Sequence, residues 1–152
     1  MTEVAPASHP HGLSRRSLAR RLTVQALYQW LLNETPPGVM VRQFAAQPDG
    51  LGRADRSYFD ALLRETVAAV PQLDALLVPH LDRPLVQLDP VEHAVLLLGT
   101  HELASHPEVP WKVVVNEAVD LARLFGAAEG YKYVNGVLDG LAHQLRGAEV
   151  NA

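Results

Sequence analysis

Residues 110–126 read PWKVVVNEAVDLARLFG, a stretch in which apolar side chains recur every three or four positions. The apolar positions extend over three turns: Val114, Val115, Ala118, Leu121, Ala122 and Phe125. The three consecutive valines at 113–115 could begin a strand, but the longer period favours a helix over 111–125. Gly126 is typical of the residue that ends such a helix. This stretch therefore indicates that a helical period organises the chain.

The segments on both sides follow the same period. Asp89 and Pro90 are typical of an N-cap and a first helical residue, and they predict a helix that ends before the loop at 106–110. Further helices are predicted at about 14–33, 39–46, 55–70, 72–80 and 129–146. Gly136 and Gly140 are one turn apart and predict the close approach of another helix. Because no segment has the period of a strand, we predict an all-α fold of about seven helices.

The first predicted helix begins with four arginines in a chain whose formal net charge is -4: Arg15, Arg16, Arg20 and Arg21. Cations at a helix N-terminus oppose the backbone dipole by roughly 0.3 to 1 kcal/mol each, so another interaction must favour them there. Arginine suits bidentate contacts with phosphates and base edges. Aromatic residues beside Lys132 are of the type that stacks on single-stranded RNA: Phe125, Tyr131 and Tyr133. The alternative is that the arginines are solvated and pair with acidic groups of the body.

Helical angles divide the first helix into three sides. One apolar stripe is predicted to face the core: Leu18, Leu22, Ala26 and Trp30. A separate stripe is basic: Arg16 and Arg20. The third side lies roughly opposite the core: Arg21, Val24 and Tyr28.

Residues for catalysis are missing from the sequence. There is no cysteine, no glycine-rich nucleotide-binding loop and no nucleophile-elbow pattern, so we expect neither an enzyme nor a cofactor. His101 and His106 are one residue too far apart for a zincin motif, which predicts that their imidazoles lie on different helix faces and hold no metal. Without a signal peptide or a membrane-spanning segment, the chain is expected in the cytoplasm with no membrane contact.

Two segments resemble the NusB family of bacterial transcription antitermination factors. RRSLARRLTVQALYQW, residues 15–30, is similar to the family's arginine-rich first helix, and residues 110–141 match its P-[YW]-K-V-x-x-N-E-A and K-[FY]-V-N-G-V-L-D patterns. Residues 91–96 and 101–103 also match, so the resemblance covers about residues 14–146 in consistent order. It implies one helical domain of two packed subdomains over 14–146, with a flexible tail at 1–13 and a C-terminal tail at 147–152.

The resemblance also implies partners and the residues that contact them. The family binds the boxA segment of ribosomal RNA operon leaders as single-stranded RNA, together with the small ribosomal subunit protein NusE. This pair joins other Nus factors in the elongation complex of RNA polymerase and suppresses premature termination. The implied RNA contacts are Arg15, Arg16, Arg20, Arg21, Phe125, Glu129, Lys132 and Tyr133. The implied contacts with the ribosomal protein are Tyr28 and Glu92.

Two other functions are alternatives to this one. The same helical module leads a ribosomal RNA cytosine methyltransferase, but that enzyme needs a further Rossmann-type domain, for which 152 residues leave no room. The chain could instead be a protein-interaction module whose basic helix meets an acidic protein surface. It could also form a homodimer, since Leu97 stands where relatives often carry arginine and would make the surface of the fifth helix more apolar.

Overall fold

The computed structural model describes residues 13–152 and is 76% helical, so the predicted all-α class is confirmed. The eight α-helices of this range are α1 (Arg15–Asn33), α2 (Pro37–Ala45), α3 (Arg56–Ala68), α4 (Val70–Leu77), α5 (Pro90–Ser105), α6 (Trp111–Phe125), α7 (Gly130–Leu145) and α8 (Gly147–Val150). Two 3₁₀ turns, Val78–His80 and Leu85–Gln87, connect α4 to α5. Within the described range, no helix is both long and apolar enough to cross a bilayer. All of the predicted N-terminal tail except Leu13 lies outside the described residues.

Side-chain caps explain where three of the helices begin. The oxygens of Ser14, Asp55 and Asp89 accept hydrogen bonds from backbone N–H groups in the first turns of α1, α3 and α5. Each cap satisfies a donor that has no partner within its own helix. The last helix, α8, lies inside the predicted C-terminal tail, and its Glu149 carboxylate accepts the Trp111 N–H at the start of α6 over 2.8 Å. Part of the predicted C-terminal tail is therefore helical and contacts the start of α6.

The helices form two groups that share one core. In the N-terminal group, α1 packs on α3, and α2 packs on α3 as well; in the C-terminal group, α5, α6 and α7 pack on one another. Helix α1 also packs along α5, which joins the two groups, and residues 94–100 of α5 are all buried. Burial on every side explains why this part of α5 is nearly continuously apolar.

The predicted core stripe of α1 is only partly correct. Ala26 is fully buried, but Leu18, Leu22 and Trp30 are half-buried, and Val24, which was placed opposite the core, is 2% exposed. The reason is that α1 packs against both α3 and α5. The buried side of α1 is therefore wider than one stripe and includes Val24.

Glycines do permit close packing, although one of the two predicted positions is wrong. A Cβ added at Gly140 would lie 2.8 Å from Nδ1 of His80, whereas a Cβ at Gly136 would have no atom within 4 Å. The tight helix contact is elsewhere, in the middle of α5. There, a Cβ added at Gly99 would lie 2.7 Å from Cδ1 of Leu138 in α7. A side chain at Gly99 would therefore require the buried Leu138 side chain or the two helices to shift.

Candidate nucleic-acid interface

Arg20 lies in a buried ion-pair network. Its Nε and Nη2 atoms donate to the two carboxylate oxygens of Glu102 over 2.9 and 3.0 Å, and its Nη1 donates to Glu117 over 2.9 Å. The Tyr58 hydroxyl donates to Glu102 as well, and the Ser17 hydroxyl donates to Glu117 over 2.7 Å. Burial disfavours the charged guanidinium, but the hydrogen bonds and charge of Glu102 outweigh it and raise the pKa of Arg20. The network holds α1, α3, α5 and α6 together.

Arg16 and Arg20, predicted as one basic stripe, therefore do not share a surface: Arg16 is exposed and Arg20 is buried. Arg20 is only 4% exposed, and its guanidinium is directed at carboxylates of the chain itself. The helical angle placed Arg20 beside Arg16, but it could not reveal that α5 and α6 bring Glu102 and Glu117 against that side of α1. For Arg20, the alternative of pairing with acidic groups of the body describes the structure.

Arg15 and Arg16 are exposed at the start of α1. The Arg15 Nε donates to the Arg53 carbonyl oxygen over 3.3 Å. The Arg16 guanidinium carbon lies 4.2 Å from the centre of the Tyr58 ring, in a cation–π contact. Tyr58 thus joins the exposed Arg16 to the buried Glu102, because its ring supports one and its hydroxyl bonds the other.

Arg21 lies on the other side of α1 from Arg16, along the seam with α6. Arg21 and Arg123 line the same groove of about 210 Å³ between these helices. The Arg123 guanidinium carbon stands 4.2 Å from the ring centre of Tyr131 in α7. The carboxylates of Glu117 and Asp120 line the groove as well, and Tyr131 stands next to it through its contact with Arg123. Arg123 is a residue that the sequence prediction missed.

The predicted RNA residues near the start of α7 have local partners. Glu129 adopts a left-handed backbone with φ of 73°, and its carboxylate pairs with the Lys132 ammonium over 2.6 Å; both side chains are largely exposed. Tyr133 is half-buried, and its hydroxyl accepts the Asp82 N–H over 3.2 Å. The guanidinium carbon of Arg83 lies 4.3 Å from the Tyr133 ring centre. Tyr133 therefore contacts the segment before α5. Arg83 is a second residue that the sequence prediction missed.

Tyr28 and Phe125 meet in a shallow pocket at the other end of the α1–α6 seam. This pocket is lined by Val24, Gln25, Tyr28, Val91 and Phe125. Tyr28 is 39% exposed, while Phe125 is half-buried against the core. Since α1 rises 1.5 Å per residue and 700° separates Arg21 from Tyr28, both lie on one face about 10 Å apart. The pocket and the groove are thus neighbours.

Glu92 lies next in sequence to a residue of this pocket and is 8% exposed. Its carboxylate packs at the N-terminus of α7, where a Cβ added at Gly130 would lie 2.5 Å from Oε2. Burial raises the pKa of Glu92, and the negative charge of Asp89 raises it further. A side chain at position 130 would therefore require this carboxylate to move.

Among the described residues, three metal-ligating side chains converge at one point: Glu65 of α3, His101 of α5 and His106. The Nε2 atoms of His101 and His106 lie 2.8 and 2.9 Å from Oε1 of Glu65. The prediction that the two imidazoles point to different helix faces is wrong, because α5 ends at Ser105 and His106 leaves the helical path with φ of -123° and ψ of 69°. Burial would lower the pKa of His106, but hydrogen bonds to Glu108 and Glu65 raise it.

Leu97 does not contribute to the surface. It is fully buried in α5, so the expectation that it makes the outside of this helix more apolar is wrong.

Sequence reasoning missed several residues of this region for one common reason. Glu102, Tyr58, Arg83 and Arg123 act through partners at least eight positions away in sequence, and no local pattern reveals such pairs.

Comparisons with known proteins agree with this architecture. Residues 17–143 match the family model described as the NusB family. The chain is 50% identical over 147 residues to the transcription antitermination protein NusB of Ralstonia nicotianae, covering 97% of this chain and 93% of that relative. It is 51% identical over 148 residues to the protein of the same name from Ralstonia pickettii, covering 97% and 94%.

Two solved structures are similar to the whole fold. A crystal structure of the antitermination factors NusB and NusE in complex with double-stranded RNA matches with a TM-score of 0.73 and 25% identity, covering 86% of this chain and 97% of that chain. The NusB of T. maritima matches with a TM-score of 0.71 over 92% of this chain and 99% of that chain. At 22% identity, the second match supports the fold alone.

Proposed function

The chain belongs to the NusB family of transcription antitermination proteins, and we propose that it binds boxA RNA of ribosomal RNA operon leaders together with NusE. In this proposal the pair joins other Nus factors on the elongating RNA polymerase in the cytoplasm and suppresses premature termination. Membership of this family confirms the expectation that the chain is not an enzyme. NusE and RNA as partners are supported by the similar structure in which NusB is bound to both.

The observation that carries the RNA assignment is the groove between α1 and α6. Arg21 and Arg123 supply positive charge there beside the carboxylates of Glu117 and Asp120. Tyr131, an aromatic side chain of the kind that stacks on unpaired bases, stands next to the groove against Arg123. Arg15 and Arg16 extend the positive surface around the start of α1, where they are exposed. We therefore assign phosphate contacts to these arginines and replace Arg20 by Arg123 in the set of RNA-binding residues.

The neighbouring pocket around Tyr28 is the surface that we assign to NusE. A partly exposed tyrosine beside apolar side chains is typical of a protein–protein contact. The pocket continues the groove along the same face of α1. RNA and NusE would therefore bind side by side along the α1–α6 seam, which favours a ternary complex over independent binding at distant sites.

RNA binding by charge-reversal variants tests this assignment. We expect Arg21→Glu and Arg123→Glu each to weaken boxA RNA binding by at least about tenfold, because contacts with charged groups contribute about 1.5 to 3 kcal/mol each. Arg42→Glu, in α2 outside the proposed surface, is the matched control and should bind like wild type. With roughly four phosphate contacts, log affinity should fall with log salt at a slope of about 3.

Fluorescence anisotropy with labelled boxA RNA and a scrambled RNA provides the measurement, and circular dichroism checks that each variant is folded. Wild-type affinity in both charge-reversal variants would refute the RNA assignment of the groove. If binding to both RNAs were equally weak while NusE still bound, the chain would act only as a protein-interaction module.

A further inference from the structure

We propose that Glu65, His101 and His106 form a Zn²⁺ site that ties the loop after α5 to α3. The three ligand atoms lie within 4.8 Å of one another and come from three separate parts of the chain. Two imidazole nitrogens and one carboxylate oxygen form a ligand set that suits zinc better than magnesium or calcium, which prefer oxygen ligands alone. This inference does not depend on the proposed RNA-binding function.

Each histidine presents the same ring nitrogen to the common centre. Nε2 of His101 and Nε2 of His106 both face Oε1 of Glu65. The other nitrogen of His101, Nδ1, is buried without a hydrogen-bond partner among the described residues, so His101 interacts through Nε2 alone. Two nitrogens that converge on a single oxygen match the arrangement of ligands around a small cation.

Glu108 supplies the outer contact that zinc-binding histidines commonly have. Its Oε2 atom lies 2.9 Å from Nδ1 of His106. When a carboxylate accepts the Nδ1–H of an imidazole, the lone pair of Nε2 is directed outward and becomes a better ligand. His106 therefore has a ring nitrogen that can bind the metal, and Glu108 is the group that orients the ring.

The two nitrogen–oxygen distances require only a small movement to admit the ion. With metal–ligand bonds of about 2.0 to 2.1 Å, neighbouring ligands of a tetrahedral site are about 3.3 Å apart. The nitrogens now lie 2.8 and 2.9 Å from Oε1 of Glu65, so the carboxylate must withdraw by about half an ångström. The Glu65 side chain is 46% exposed, which lets it move outward and leaves the fourth position open to water.

Titration of metal-free protein with Zn²⁺ in a calorimeter, and with Co²⁺ in a visible spectrophotometer, tests the site. Because His9 and His11 offer two further imidazoles, every measurement uses the full chain, without an affinity tag, carrying His9→Gln and His11→Gln. We expect one Zn²⁺ per chain with a dissociation constant on the order of 10 µM or tighter. Co²⁺ should give the intense visible absorption of a tetrahedral ion, and Zn²⁺ should displace it.

The variants separate this site from nonspecific binding. Glu65→Gln and His106→Gln remove one ligand each and should weaken Zn²⁺ binding by more than about tenfold, and Glu108→Gln by about tenfold through the outer contact. The control is His143→Gln, which removes an exposed histidine from another histidine–carboxylate pair, with Asp139. It should leave binding unchanged.

Since Glu65 is nearly half exposed, its variant should stay folded, which circular dichroism verifies. The proposal is overturned if the chain with intact Glu65, His101 and His106 binds no Zn²⁺ at 100-fold excess over protein. It is equally overturned if Glu65→Gln and His106→Gln bind as tightly as their parent. In either case hydrogen bonds alone hold the cluster, with both imidazoles donating to Glu65.

Discussion

Replacing Arg20 by methionine should destabilise the protein strongly, although a helix-opening arginine would ordinarily contribute little. The change keeps an apolar stem of similar length but removes every hydrogen bond from the guanidinium to Glu102 and Glu117. The Glu102 side chain, only 2% exposed, would be left with the Tyr58 hydroxyl as its remaining side-chain donor. Removing one partner of a buried ion pair costs about 3 to 5 kcal/mol. In a chain of this size, that lowers Tm by roughly 6 to 20 °C.

Urea unfolding followed by circular dichroism measures this loss, and Arg16→Met is the matched control. Arg16 is exposed and contacts the Tyr58 ring, so its loss should cost about 0.5 to 1 kcal/mol. The double variant Arg20→Met, Glu102→Met should be less destabilised than the sum of its single variants, because it leaves no unpaired charge at Glu102. If Arg20→Met unfolds within about 1 kcal/mol of wild type, the network does not stabilise the fold and the reasoning from burial fails.

Three further changes test other parts of the structure. Gly99→Ala should lower stability by about 1 to 3 kcal/mol through overpacking against Leu138, whereas Gly136→Ala should raise it by up to about 1 kcal/mol; urea unfolding that ranks them the other way would contradict the packing. Glu92→Gln should stabilise the chain at neutral pH, because a carboxyl whose pKa is raised by burial opposes folding once it ionises. Its advantage should disappear below about pH 4.5, which unfolding at both pH values measures; an equal gain in acid would exclude the charge as the cause. Tyr28→Ala should weaken NusE binding by more than about tenfold in calorimetry with little loss of boxA affinity. If the unfolding midpoint fell enough to account for the lost binding, Tyr28 would stabilise the fold rather than contact NusE.

The helices were predictable because their signals are local. Asp89 and Pro90 determine the start of α5, and the apolar period of residues 111–125 determines α6, whatever packs against them. Apolar periodicity also determined that the chain has an all-α fold. The cluster of arginines at the start of α1 was equally visible as a basic segment on an acidic chain, and this part of the candidate site needed no coordinates.

Long-range packing determines whether each arginine is exposed or buried in an ion pair. Arg16 and Arg20 have the same charge and lie one turn apart, yet Arg16 is exposed while Glu102 and Glu117 enclose Arg20. Local sequence determines where a side chain lies around its helix. The neighbouring helices determine whether that position faces water or a carboxylate. For the same reason His101 and His106, separated by helical spacing in the sequence, converge on Glu65 only because α5 ends between them and α3 packs alongside.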